Sequence, residues 1–107
     1  MPLSTVTIAN GQTVSDALDL SRAGFSLVGI VTPAALTGAT FTFQASADGV
    51  TYNAVYDKTG ALVSVTVAAS RYVVLAPADF AGIAYLKVVS GSTEGGARTI
   101  GLVARPV

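Results

Sequence analysis

Polar and apolar positions alternate most cleanly between Ala39 and Asp57. Phe41, Phe43 and Ala45 fall on one face, and Thr40, Thr42, Gln44 and Ser46 on the other, the period-two pattern of a strand with one buried face. Asp48-Gly49 then carries the chemistry of a tight hairpin turn, because Gly takes positive φ without a Cβ clash and Asp tolerates it. Tyr52 and Tyr56 lie on the expected return strand, where amphipathic rings suit a sheet surface.

The same pattern recurs along the chain. Thr5 to Ile8 alternates and is closed by Asn10-Gly11. Thr13 to Leu20 carries mixed cues. Val14 and Leu18 are four apart and Thr13 with Asp16 resembles a helix N-terminus, whereas the bracketing Gly11 and Gly24 favour an extended segment at a sheet margin. The extended reading is preferred. Phe25 to Thr32 is nearly continuous in apolar residues, as in a strand buried on both faces; Gly29 marks a bulge or a close neighbour, and Pro33 ends the run. Leu62 to Val67 puts Val63, Val65 and Val67 on one face, and Ala68-Ala69-Ser70 turns the chain into Arg71 to Leu75. Pro77 to Gly82 reads as a single helical or 3₁₀ turn, with Gly82 as its exit. Ile83 to Ser90 and Thr99 to Val103 are the last strands, and Pro106 stops the second. Between them, Gly91 to Gly96 reads as a flexible loop and the most mobile part of the domain.

Eight or nine short strands, with turn signals about every ten residues, point to an all-β fold rather than βαβ units. The expected architecture is an antiparallel β-sandwich, jelly-roll-like, in one domain over residues 1–107. Its core is predicted to hold Leu27, Ile30, Phe41, Phe43, Val65, Val67 and Val88.

Charge sharpens this picture. Only 11% of the residues are charged, under half the usual share of roughly 25%, so Thr and Ser carry much of the solvation. Such a surface suggests that part of it is covered by a partner. Net charge is zero, and Arg22, Lys58, Arg71, Lys87, Arg98 and Arg105 are scattered singly. Nucleic-acid binding needs clustered cations that displace counterions, and a polybasic membrane patch needs the same clustering. Neither nucleic acid nor membrane is therefore expected as a partner. No apolar run has the length of a membrane-spanning helix, and the N-terminus lacks the charged and apolar regions of a signal peptide.

The inventory for catalysis is thin. The chain has no His and no Cys, which removes the usual proton shuttle, thiolate zinc ligation and the Cys nucleophile. Asp48, Asp57 and Asp79 sit in turns. Asp16 and Asp19 are a close pair, but on a strand they point to opposite faces, and a glycosidase needs two carboxylates that face one another. Gly91 to Gly96 lacks the Lys-Ser/Thr that opens a helix after a phosphate-binding loop, and Asp48 has no further acid until Asp57 to build a calcium loop. The serines have no base partner. No catalytic, metal or cofactor site is expected, and the protein reads as a non-enzyme. Tyr52, Tyr56, Tyr72 and Tyr85 are the phenols that a sugar or protein surface could use; half-buried sheet residues are the plainer reading.

Three segments together carry a resemblance. They are Leu27-Val28-Gly29-Ile30-Val31-Thr32-Pro33, the block from Thr40 to Tyr52, and Val65 to Val73 followed by Pro77-Ala78-Asp79-Phe80. In this order and spacing, over about Val14 to Val107, the chain resembles a family of small structural proteins of tailed-phage virions. The resemblance implies a virion location after assembly in the host cytoplasm, and a capsid decoration or auxiliary role that stabilises the assembled shell. The implied partner is the major capsid protein or another virion structural protein; a homo-oligomer is left open, since the sequence does not set the oligomeric state. Zero net charge would make attachment depend on apolar burial and backbone pairing, with Thr5 to Ala9 and Thr99 to Val107 as candidate pairing strands. A second likeness, the Ser-x-Asp-Gly turn before Tyr52 with Arg71-Tyr72-Val73 later, is similar to discoidin-type and galactose-binding-like sandwiches. It implies a carbohydrate-binding module as the alternative, although the basic and aromatic loop residues that grip a ligand are lacking.

Overall fold

The computed structural model describes residues 3–20, 25–80 and 83–106, with Leu3, Phe25 and Pro106 described by their backbone. Arg22, Gly24, Gly82 and Val107, which figured in the expectations above, lie outside the described residues.

The described residues form nine strands in two antiparallel sheets. The strands are β1 (Leu3–Ile8), β2 (Leu18–Asp19), β3 (Phe25–Val31), β4 (Thr40–Ser46), β5 (Asn53–Ala54), β6 (Ser64–Thr66), β7 (Tyr72–Val74), β8 (Tyr85–Ser90) and β9 (Arg98–Pro106). The first sheet has the order β1-β9-β3-β7; the second has the order β2-β8-β4-β5, with β6 also paired to β4. The fold is an all-β sandwich.

Alternation explains which side chains meet. On β4, Phe41 and Phe43 are buried while Thr40 faces solvent. Between the sheets they join Leu86 and Val88 of β8, Val6 and Ile8 of β1, Ile100 and Leu102 of β9, and Leu27 and Ile30 of β3. Phe80, just after the 3₁₀ turn Pro77–Asp79, packs edge-on against Phe43 with ring centroids 5.0 Å apart. Of the residues predicted for the core, Val65 alone is only partly buried, packing against the cluster from the short β6.

Four expectations need correction. Asp48-Gly49 is not a tight two-residue turn: the β4–β5 ladder stops at Ala45↔Asn53, and residues 46–52 make a longer loop. Ser46 and Asp48 hold that loop. Ser46 Oγ accepts from Gly49 N, and Asp48 Oδ1 accepts from Val50 N and Thr51 N. Gly49 keeps the positive φ, +79°, that the turn chemistry required. The return strand is correspondingly short, so Tyr52 and Tyr56 lie outside β5.

The second correction concerns β3, where burial reaches both faces at Ser26 and Gly29 but fails at Val31. Its register against β9 shifts between Leu27 and Gly29, so the bulge lets Leu27 and Ile30, three apart, both enter the core. Val31 on the outer face is 37% exposed. Gly29 also has the close neighbour expected, since a Cβ there would lie 2.8 Å from the Tyr72 ring.

The third is β9, expected as a terminal strand free to pair elsewhere. It runs between β1 and β3, and both of its edges are occupied. The fourth is the 91–96 loop, expected to be loose. Its Glu94 is buried, with hydrogen bonds described below that tie it to three other segments.

Candidate functional site

Titratable side chains are the natural place to look for chemistry, and the most enclosed is Glu94, with 0% exposure. Glu94 Oε1 accepts from Thr37 N at 2.8 Å and from Arg98 Nε at 3.0 Å. Oε2 accepts from Gly38 N at 2.9 Å and from Ser90 Oγ at 2.7 Å. The backbone of the same residue bonds Gly11 and Gln12 in the β1–β2 connection. Gly38 is needed for this approach, because a Cβ on it would collide with Ser90 Oγ.

Four donors fill the acceptor positions that a carboxylate offers, leaving none for a substrate. Burial pushes the Glu94 carboxyl up, but Ser90, the Thr37 and Gly38 amides and Arg98 together outweigh it and hold the group at about 2. A general acid or base near neutral pH needs the opposite shift. Glu94 is a structural knot. Its part was not found in the sequence, although a lone Glu four residues before Arg98 in a Gly-rich segment was the available signal.

Asp48, Asp57 and Asp16 are also engaged locally. Asp48 is lowered to about 2 by the Thr51 and Val50 amides and the Ser46 hydroxyl. Asp57 is lowered by the Thr59 hydroxyl and the Ala61 and Thr59 amides, which close the 57–61 turn. Asp16 Oδ1 accepts from Thr7 N at 2.7 Å, and Asp16 N donates to Thr7 O. Its neighbour in sequence, Asp19, sits on β2 opposite Tyr85. Among the described residues no group of three His, Cys, Asp or Glu side chains is placed to hold a metal ion.

The tyrosines are dispersed rather than gathered into a platform. Lys87 Nζ lies 4.2 Å from the centre of the Tyr52 ring and covers one of its faces. Tyr85 lies beside Gly49, Tyr72 lies over Gly29, and Tyr56 pairs with Leu62 at the stem of the 57–61 turn. An open hollow of about 240 Å³ between β4 and β8 is lined by Ala45, Ser46, Ala47, Ile83 and Ala84. Its one hydroxyl, Ser46, is already committed to Asp48.

What the surface does offer is apolar side chains in neighbouring pairs. Val31 and Tyr72 are cross-strand partners, with Val74 two residues further along β7. Tyr56 and Leu62 form a second pair, and Val50 projects from the tip of the 46–52 loop. At β7 this exposure coincides with a sheet edge. Thr32 N donates to Arg71 O and Leu75 N donates to Val28 O, so Arg71, Val73 and Leu75 face β3. By antiparallel alternation the amides and carbonyls of Tyr72 and Val74 face outward.

Comparison with known protein families and with curated proteins finds no match for this chain.

Proposed function

We propose that the protein is a non-enzymatic structural component of a phage particle, a decoration or auxiliary protein that binds the assembled capsid shell and stabilises it. The supporting observation is the surface. Val31, Val50, Tyr56, Leu62, Tyr72 and Val74 are exposed on a chain of zero net charge. Grouped apolar side chains on a weakly charged protein favour burial against a partner. The sequence resemblance described above supplies the kind of partner, a major capsid protein or another virion structural protein. The carbohydrate-binding alternative draws less support, since the tyrosines are dispersed and one face of the Tyr52 ring is covered by Lys87.

Attachment of this kind depends on apolar burial, so it should survive salt. Virions of the phage whose genome encodes the chain are incubated in roughly 0.1 M and 1 M sodium chloride, where the Debye length falls from about 10 Å to 3 Å, and pelleted. The protein is expected in the pellet at high copy number under both conditions. Its absence from purified virions, or wholesale release from an intact shell at the higher salt, would refute this reading. Specific binding of the isolated domain on a glycan array would favour the alternative.

A further inference from the structure

We propose that two copies of the protein associate through their β7 edges, pairing antiparallel about a two-fold axis at Val73. The inference is independent of the virion role and is tested on the isolated protein.

The first observation is the extent of the open edge. Tyr72 and Val74 present outward backbone groups, but the edge is closed on either side. Ser70 turns away with φ of +58° and donates its N–H to Pro33 O, while Ala76 O accepts from Asp79 N. The open window is therefore Tyr72, Val73 and Val74, and it is symmetric about its middle residue.

That symmetry selects the partner. In an antiparallel pair centred on Val73, Tyr72 lies opposite Val74 of the second copy and Val74 opposite Tyr72. These are the residues whose N–H and C=O groups point outward, so each donor meets an acceptor across the axis. On the outer face Tyr72 and Val74 of the other copy become cross-strand neighbours, an aromatic and β-branched pair that the Tyr72 ring reaches by turning from Gly29. Val74 is 79% exposed and Tyr72 59% exposed in the single chain.

Charge permits the same register. The nearest charged side chain, Arg71, would stand opposite Leu75 of the second copy rather than opposite the other Arg71, so no like charges are brought face to face. The edge carries no lysine, proline or inward charge to discourage such pairing, and its three-residue length limits rather than blocks it. The result is one continuous sheet, β1-β9-β3-β7 followed by β7-β3-β9-β1 of the second copy.

The other free edge of this sheet is less suited. On β1, the outward groups of Thr7 are taken by Asp16. A three-residue edge buries less than the usual ~800 Å² per partner, so the dimer should be weak, shifting from monomer to dimer between about 1 µM and 1 mM.

The test is sedimentation equilibrium of the full chain across that range, with amide hydrogen exchange read residue by residue. Concentration-dependent dimerisation with new protection at Tyr72 and Val74 is expected. Val74→Pro removes an outward N–H while leaving the bonds of Val73 and Leu75 to β3. It should weaken the dimer about 30-fold, since two symmetry-related bonds are lost, and leave Val73 and Leu75 protected. Val74→Lys keeps the N–H, adds charge to the edge and should also weaken association, which covers the case in which the proline variant fails to fold. Val74→Thr should still dimerise. A wild-type monomer at about 1 mM, dimers of both Val74→Pro and Val74→Lys as tight as wild type, or new protection at Thr5 instead of Tyr72 would overturn the proposal.

Discussion

The Glu94 corner and the β7 edge handle unpaired backbone groups in opposite ways. At the corner, a buried carboxylate gathers the amides of Thr37 and Gly38, the Ser90 hydroxyl and Arg98. At β7 no side chain performs that service, and the outward groups of Tyr72 and Val74 meet solvent. The β1 edge is intermediate: Asp16 closes Thr7, as Glu94 does on a larger scale, and leaves Thr5 open. The lesson is that acidic side chains in this protein act as substitutes for missing strands. Where such a substitute is lacking, the outward backbone groups stay unpaired within the chain.

The largest effect should come from opening the corner. Glu94→Ala leaves the buried Gly38 amide and Ser90 hydroxyl, and the part-buried Thr37 amide and Arg98 guanidinium, without their acceptor and should destabilise the fold by about 3–5 kcal/mol in chemical denaturation. A loss below about 1 kcal/mol would mean that water replaces the carboxylate and that the corner resembles the open edge after all.

Acid probes the same contrast without mutation. The Glu94 carboxyl lies at about 2 in the folded protein against an ordinary value of 4.5. A depressed folded value stabilises above the unfolded value, and the contribution is lost as pH falls from about 4.5 towards 2. Denaturation midpoints should therefore fall across that window, and Glu94→Gln should flatten the fall, with residual slope from Asp48 and Asp57, which shift in the same direction.

Next in size is Gly49→Val. Gly49 has φ of +79°, and an added Cβ would meet the Tyr85 ring at 3.4 Å. A β-branched residue there should cost about 1–3 kcal/mol, visible as a lower melting temperature. An unchanged melting temperature would show that the 46–52 loop can rebuild around Ser46 and Asp48.

Asp16→Ala is smaller still, about 0.5–1.5 kcal/mol, because the Thr7 amide can turn to water. Its informative readout is exchange: the Thr7 amide should lose protection, making β1 an open edge like β7. At the low end, Val74→Thr should change monomer stability by less than about 0.5 kcal/mol, since the side chain is exposed.

Legibility in the sequence followed the range of the interaction. Phe41 and Phe43 were readable because alternation is local, and Gly49 because positive φ leaves a chemical signature, here found at +79°. The length of the 46–52 loop was not, since Asp48 chemistry serves a two-residue turn and a longer loop equally well. Glu94 was hidden by its surroundings. Glycines flanking it suggest mobility, while the burial depends on Thr37, Gly38 and Ser90 arriving from elsewhere. The Phe25 to Thr32 run read as doubly buried, and its composition does not reveal that the outer face is left open at Val31. Strand order lay furthest from view, as β9 reaches its place between β1 and β3 through pairings distant in sequence.

That placement has a kinetic consequence. Residues 98–106 bridge β1 at residues 3–8 to β3, so the first sheet cannot assemble until residues 98–106 have been synthesised. Closing so long a loop before any contact repays the entropy makes folding slow, on a scale of about milliseconds to seconds rather than microseconds. Until β9 arrives, β1 has no strand partner in its sheet and β3 has only the short β7. The interval before closure, rather than the finished fold, is when this protein is most exposed to aggregation.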